Sequence, residues 1–118
     1  MTLRFAFSAT ALLLGAACAS TTAPNEKATS SSAAIRAAEE VGATRSPDAA
    51  LHLQLAKEQF EYAQKLTSED DKPRADRLLL RAQADAELAL ALARSESEKA
   101  EAQGAIHKVK ALKESAPK

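Results

Sequence analysis

The chain has 118 residues, 16 basic side chains against 16 acidic ones, and a single cysteine. That length holds roughly one domain and leaves little room for a deep catalytic cleft. Zero net charge argues against a dedicated nucleic-acid binder, and one cysteine excludes an internal disulfide framework or a cysteine-based zinc site. Alanine fills 29 positions and tryptophan none, which biases the chain toward helix, because alanine leads the helix scale and the residues that favour strands are scarce.

Residues 1–17 read as a secretory signal. Arg4 is followed by an uncharged run from Phe5 to Ala17, short of the about 20 residues that cross a bilayer but long enough for a signal-peptide apolar region. Behind Leu12-Leu13-Leu14, the segment Gly15-Ala16-Ala17-Cys18-Ala19 resembles a bacterial lipobox. Gly15 stands where that pattern has an aliphatic residue, with Leu14 one step earlier. The resemblance implies a diacylglyceryl group on the Cys18 thiol, further acylation of the palmitate type, and cleavage that leaves Cys18 as the first mature residue. Ala19 replaces the aspartate of an inner-membrane retention signal, which implies an outer-membrane destination facing the periplasm. The alternative is ordinary cleavage after Ala19, since Ala17-Cys18-Ala19 is itself an A-x-A site. Without Arg4 the balance is 15 basic to 16 acidic residues, so membrane attachment is expected from the lipid and not from a polybasic patch.

Residues 18–31 carry no large apolar side chain and read as the lipidated cysteine followed by a disordered tether. The helical domain is expected over 32–116. Its first helix spans about 33–41, with the preceding serines as N-caps, and ends near Gly42. Ser46-Pro47-Asp48 restarts the chain, with Ser46 as cap and Pro47 at the first helical position. The second helix runs over 47–68, with Ala49, Leu53, Ala56, Phe60 and Ala63 at helical spacing. Glu69 to Pro73 forms a turn in which Asp70 or Asp71 caps the third helix, about 72–114. That helix carries the stripe Ala75, Leu79, Ala82, Ala86, Ala89 and Ala93, and a second set of Ala102, Ile106, Val109 and Leu112.

The expected fold is all-α: a long antiparallel, coiled-coil-like hairpin with a broken first arm. The third helix spans about 64 Å against about 33 Å for the second. Reflection about the turn sets Ile35 near residue 105 and Val41 near residue 99, so the first helix is expected to cover the far end of the third, where Gly104 would mark close contact or a fray point. The candidate packing or partner face comprises Leu53, Phe60, Leu79, Leu88, Leu92 and Ile106. Only seventeen residues from Cys18 onward are Leu, Ile, Val, Phe or Tyr, a thin core that predicts marginal stability alone or burial against a partner.

No catalytic constellation emerges. His52 and His107 each lack a second ligand at i+3 or i+4, and reflection sets His52 opposite residue 88. Glu61–Lys65, Arg81–Asp85 and Arg94–Glu98 read as surface pairs four apart. Phe60 and Tyr62 point to different faces, one toward the core. The sequence contains no G-x-S-x-G, H-E-x-x-H or glycine-rich phosphate loop, and Cys18 has no neighbouring base. No enzyme activity, metal, cofactor, nucleic acid or small-molecule substrate is expected.

The segment Ala33-Ala34-Ile35-Arg36-Ala37-Ala38-Glu39, the Ser46-Pro47 restart, Leu53-x-x-Ala56 and Ala75-x-x-x-Leu79-x-x-Ala82-x-Ala84-Asp85-Ala86-Glu87-Leu88-Ala89 resemble the bacterial family known as domain of unknown function 4398. The resemblance implies an exported, often lipidated helical protein without enzymatic activity. Some members precede an OmpA-like peptidoglycan-binding domain. No such domain stands among these residues, so cell-wall binding is not carried over. The expected role is a membrane-tethered structural or adaptor module acting through protein partners or self-association. The alternative is a soluble periplasmic binding or chaperone-like protein cleaved after Ala19.

Overall fold

A computed structural model gives the architecture and describes residues 25–116; Cys18, the signal segment and the tether up to residue 24 lie outside the described residues. Three helices follow one another: α1 (Glu26–Glu40), α2 (Pro47–Ser68) and α3 (Lys72–Ser115), with a short 3-10 turn, Ala43–Arg45, between the first two. The described residues contain no strand, and α2 and α3 form a long antiparallel hairpin.

The first helix starts at Glu26 and not at Ala33, so residues 26–31 belong to the folded body and not to a tether. Its N-cap is Asn25, whose side-chain oxygen accepts the Lys27 N–H at 3.1 Å, the role expected of the serines. The extra turns hold because Ala28, Ser31, Ile35 and Ala38 face inward at steps of three and four. Ser31 is completely buried, its hydroxyl 2.6 Å from the Leu79 carbonyl and 2.7 Å from that of Lys27. A hydroxyl this small seats one helix against another's backbone while contributing nothing to hydropathy.

The direction of α1 also departs from expectation. Lys27 pairs with Asp76, Ser31 meets Leu79, and Val41 and Arg45 line a groove with Ala93. Helix α1 therefore runs parallel to α3 along its first half, and Glu39 pairs with Lys57 of the antiparallel α2. The body is a three-helix bundle, and the far end of α3 is left bare. The reversal is made by Gly42, at φ 77°, and the tight turn after it. The Gly42 N–H reaches the Glu39 carbonyl at 2.9 Å, and Arg45 Nη2 donates to the Val41 carbonyl at 3.0 Å. A glycine supplies the left-handed conformation without the steric cost of a Cβ. Gly104 marks no contact: nothing lies within 4 Å of the place a Cβ would take, and α3 passes through it to Ser115.

At the restart, Ser46 makes no side-chain capping bond. Its carbonyl accepts the Ala50 N–H at 2.8 Å, and Pro47 occupies the first turn, where a missing N–H is harmless. The α2–α3 turn is a Schellman arrangement. Asp70 takes φ 62°, its N–H meets the Thr67 carbonyl at 3.2 Å, and the Asp71 N–H meets that of Leu66 at 2.9 Å. The Asp71 carboxylate accepts the Arg74 N–H at 3.3 Å and caps α3.

Ten of the fourteen buried hydrophobic residues are alanines, and only Ile35, Leu53, Leu66 and Leu79 are larger, so the helices pack close together. One cluster gathers Ile35, Leu53, Ala56, Ala86 and Ala89; a second gathers Ala63, Leu66, Ala75 and Leu79. Phe60 packs against both.

Two substitutions separate the roles of the two left-handed residues. Gly42→Ala should destabilise the bundle by about 1–2 kcal/mol, because a Cβ there strains the backbone and falls 2.4 Å from the Arg45 guanidinium. Asp70→Gly should stabilise it by about 1 kcal/mol, by placing glycine at the left-handed cap. Urea denaturation followed by circular dichroism checks both, and equal shifts of the same sign would contradict the assignment.

Candidate functional site

The six residues read as one face do not share one. Leu53 and Leu79 are each 2% exposed in the core, and Phe60 and Leu92 pack half-buried against it. Leu88 and Ile106 are exposed, at 43% and 55%. The inward line of α3 is Ala75, Leu79, Ala82, Ala86, Ala89 and Ala93, and Leu88 sits one residue, about 100°, out of phase with it. Ile106 lies beyond the reach of α1 and α2, on a stretch in which every residue from Glu96 to Ala116 is exposed. Cys18 lies outside the described residues. Phe60 takes the core role and Tyr62 the outer one, 42% exposed.

The principal polar cluster between α2 and α3 centres on Asp85. One carboxylate oxygen lies 3.0 Å from His52 Nδ1, and the other accepts a bond from Gln59 Nε2 at 2.7 Å. Gln59 Oε1 is buried without a partner. Sequence reflection set His52 opposite residue 88, less than one helical turn from Asp85, so the facing was readable and the pairing was not. Asp85 is consequently not the partner of Arg81. Among the described residues the ion pairs are Lys27–Asp76, His52–Asp85, Lys57–Glu39 and Lys99–Glu96, in place of the three intrahelical pairs expected from spacing. Three of the four join different helices and fix their register.

The hydrogen bond from Lys27 holds the Asp76 carboxyl below its ordinary 3.8; burial opposes this, and Asn25 and the Lys27 charge reinforce it. Since the folded value is the depressed one, the clamp's contribution is present above the unfolded value and is lost as pH falls through the folded value.

Tyr62, Arg74, Arg77, Leu78 and Arg81 line an open groove of about 250 Å³ beside the hairpin turn, with the Arg74 guanidinium 5.6 Å from the Tyr62 ring centroid. Among the described residues no group of three or more His, Cys, Asp or Glu side chains could hold a metal, and no helix is long and apolar enough to cross a membrane. Among the described residues the hydrogen-bond partner of His52 is Asp85. The Asp85 cluster and three of the four ion pairs thus serve helix contacts. Of the seven large apolar residues exposed among the described ones, Leu51 and Tyr62 lie on α2 and five lie on α3: Leu80 and Leu88 on the body with Ile106, Val109 and Leu112 on the bare segment, which makes α3 the helix with most unspent contact capacity.

The fold and this surface define a small helical body that carries a projecting helical arm. Residues 26–105 match the family model for a domain of unknown function, DUF4398, and the chain belongs to that family. The matched span covers the bundle and the first part of the bare segment. No curated protein and no solved structure matches the chain.

The Asp85 cluster yields a contrast between its acceptor, Asp85, and its donor, Gln59. Asp85→Ala should cost about 1–2 kcal/mol by leaving both Gln59 and His52 without their acceptor, whereas Gln59→Met should cost less, because it also removes an oxygen that has no partner and Asp85 keeps His52 and some exposure to water. Thermal unfolding of the two variants checks this, and equal losses would contradict it.

Proposed function

We propose that the protein is a non-enzymatic cell-envelope lipoprotein, anchored through Cys18 in the outer membrane facing the periplasm, that acts by protein–protein contact through the outer side of α3. The observation that carries this reading is the placement of its two ends. Asn25 and Lys27 lie against Asp76 beside the hairpin turn, while the bare half of α3 leaves the bundle at its opposite end. Six residues lie between Cys18 and Asn25, seven steps from Cα to Cα and at most about 25 Å of chain. An anchor at Cys18 therefore holds the turn end near the membrane and directs the arm away from it. Helices in proteins draw most of their stability from packing an apolar face, and exposed Ile106, Val109 and Leu112 give the bare stretch a side to bury.

Intact mass of the mature protein from the membrane fraction of its host, beside a Cys18→Ala variant, tests the anchor. The expected result is a diacylglyceryl-cysteine mass that disappears in the variant together with membrane association. An unmodified chain beginning at Ser20 in the periplasmic fraction would replace this reading with a soluble binding or chaperone-like module.

A further inference from the structure

The outer side of α3 is a second seam that runs past the end of the bundle. At about 100° per residue, Leu80, Ala84, Leu88 and Ala91 lie roughly opposite the buried line of Ala75 to Ala93, and Ala102, Ile106 and Val109 continue on the same side. From Ala84 the positions 84, 88, 91, 95, 98, 102, 105, 109 and 112 alternate in steps of four and three, the spacing of a coiled-coil seam. All of them are exposed except Ser95, which is half-buried. The seam consists of two apolar blocks, Ala84 to Ala91 and Ala102 to Val109, separated by Ser95 and Glu98 and flanked at its ends by Arg81 and Leu112.

We infer that a second copy of this chain covers this seam, its α3 antiparallel to the first and the two-fold axis passing between Glu96 and Ser97. This rests on the reading of α3 as the contact element and names its partner. The two apolar blocks are equidistant from that point, so an antiparallel copy lays the arm of each chain on the body of the other. Leu88 then faces Ala105, Ala84 faces Val109 and Ala91 faces Ala102, each twice by symmetry. The polar pair Ser95 and Glu98 meets itself at the centre.

Charge selects this arrangement. The flanking positions bring Glu87 beside Lys108 of the second copy and Arg94 beside Glu101 of the second copy, four opposite-charge pairs in all. A parallel pair would set Arg94 beside Lys99 and Lys108 beside Lys113 across the same seam, all like charges. Sliding the antiparallel copy by one heptad in the direction that lengthens the shared arm brings Arg94 to Lys108 and Glu101 to Glu101. Arg94, Glu101 and Lys108 form no ion pair among the described residues, and Lys99 already pairs with Glu96 at 2.9 Å. Alanine at so many seam positions lets the two helices approach closely.

Cysteine crosslinking in the native host, with the parent chain as the blank for Cys18, reads the geometry directly. A chain bearing both Ala91→Cys and Ala102→Cys should give a disulfide-linked homodimer under mild oxidation. Neither single variant should do so alone, because identical positions lie about 16 Å apart along the seam; a mixture of the two singles should. Homodimers from each single variant would mean a parallel pair and overturn the proposal. Adducts only to a different protein would overturn self-pairing while keeping α3 as the contact element, and no adduct at all would overturn both.

Light scattering of the purified chain supplies a second readout. Lys108→Glu should weaken the dimer roughly tenfold, and adding Glu87→Lys should restore it, with helical content unchanged throughout. Failure of the double variant to recover would remove the charge pairing on which the register rests. The mass measurement on Cys18 reads the anchor separately, so the two failures are distinguishable.

Discussion

The separation between the helix axes governs everything else in this bundle, and side chains of one methyl group set it. Where alanine faces alanine, backbones approach closely, but each contact removes little apolar area from water. A body built this way lacks the surplus that large core side chains supply, and relies on register-fixing polar contacts to complete the packing. The completely buried hydroxyl of Ser31 against the Leu79 carbonyl, the Lys27–Asp76 and Lys57–Glu39 pairs and the Asp85 cluster all sit where two helices meet. Each is small; together they specify which turn of one helix lies beside which turn of another, a choice that near-identical alanine faces leave open.

That dependence explains what was legible in the sequence. Punctuation was: Pro47 and Pro73 begin helices, α1 ends near Gly42, and the chain turns at Asp70, because these residues act through local backbone geometry. The inward line of α3 was equally plain, since a repeat of three and four survives even when the residue is alanine. The start of α1 was not. Ala28 and Ser31 carry the helical repeat into a stretch of Ser, Thr, Lys and Glu that composition alone assigns to a tether, and tertiary contact with α3 decides the matter.

The direction of α1 was lost for a related reason. Reflection about the hairpin turn treats the break near Gly42 as an interruption in a straight arm, whereas a left-handed glycine followed by a 3-10 turn sends the chain back on itself. Once α1 lies beside the first half of α3, the second half has no cover. The candidate face then divides into Leu53, Phe60, Leu79 and Leu92 inside, and Leu88 and Ile106 outside. Spacing rules for surface charge failed at Asp85 as well, because an acid that faces a neighbouring helix bonds across to His52 and Gln59 before it reaches an arginine one turn away.

Phe60 has a consequence for how the bundle comes apart. Its ring is the one aromatic group among the described residues that packs against both buried clusters, and it joins the turn end of the body to the end from which α3 projects. Cooperativity in so thin a core depends on how tightly neighbouring regions share contacts, and regions that share few can open separately at lower free energy than the whole. Because one ring contacts both clusters, opening at either end takes contacts from the other, which ties the stability of the two ends together.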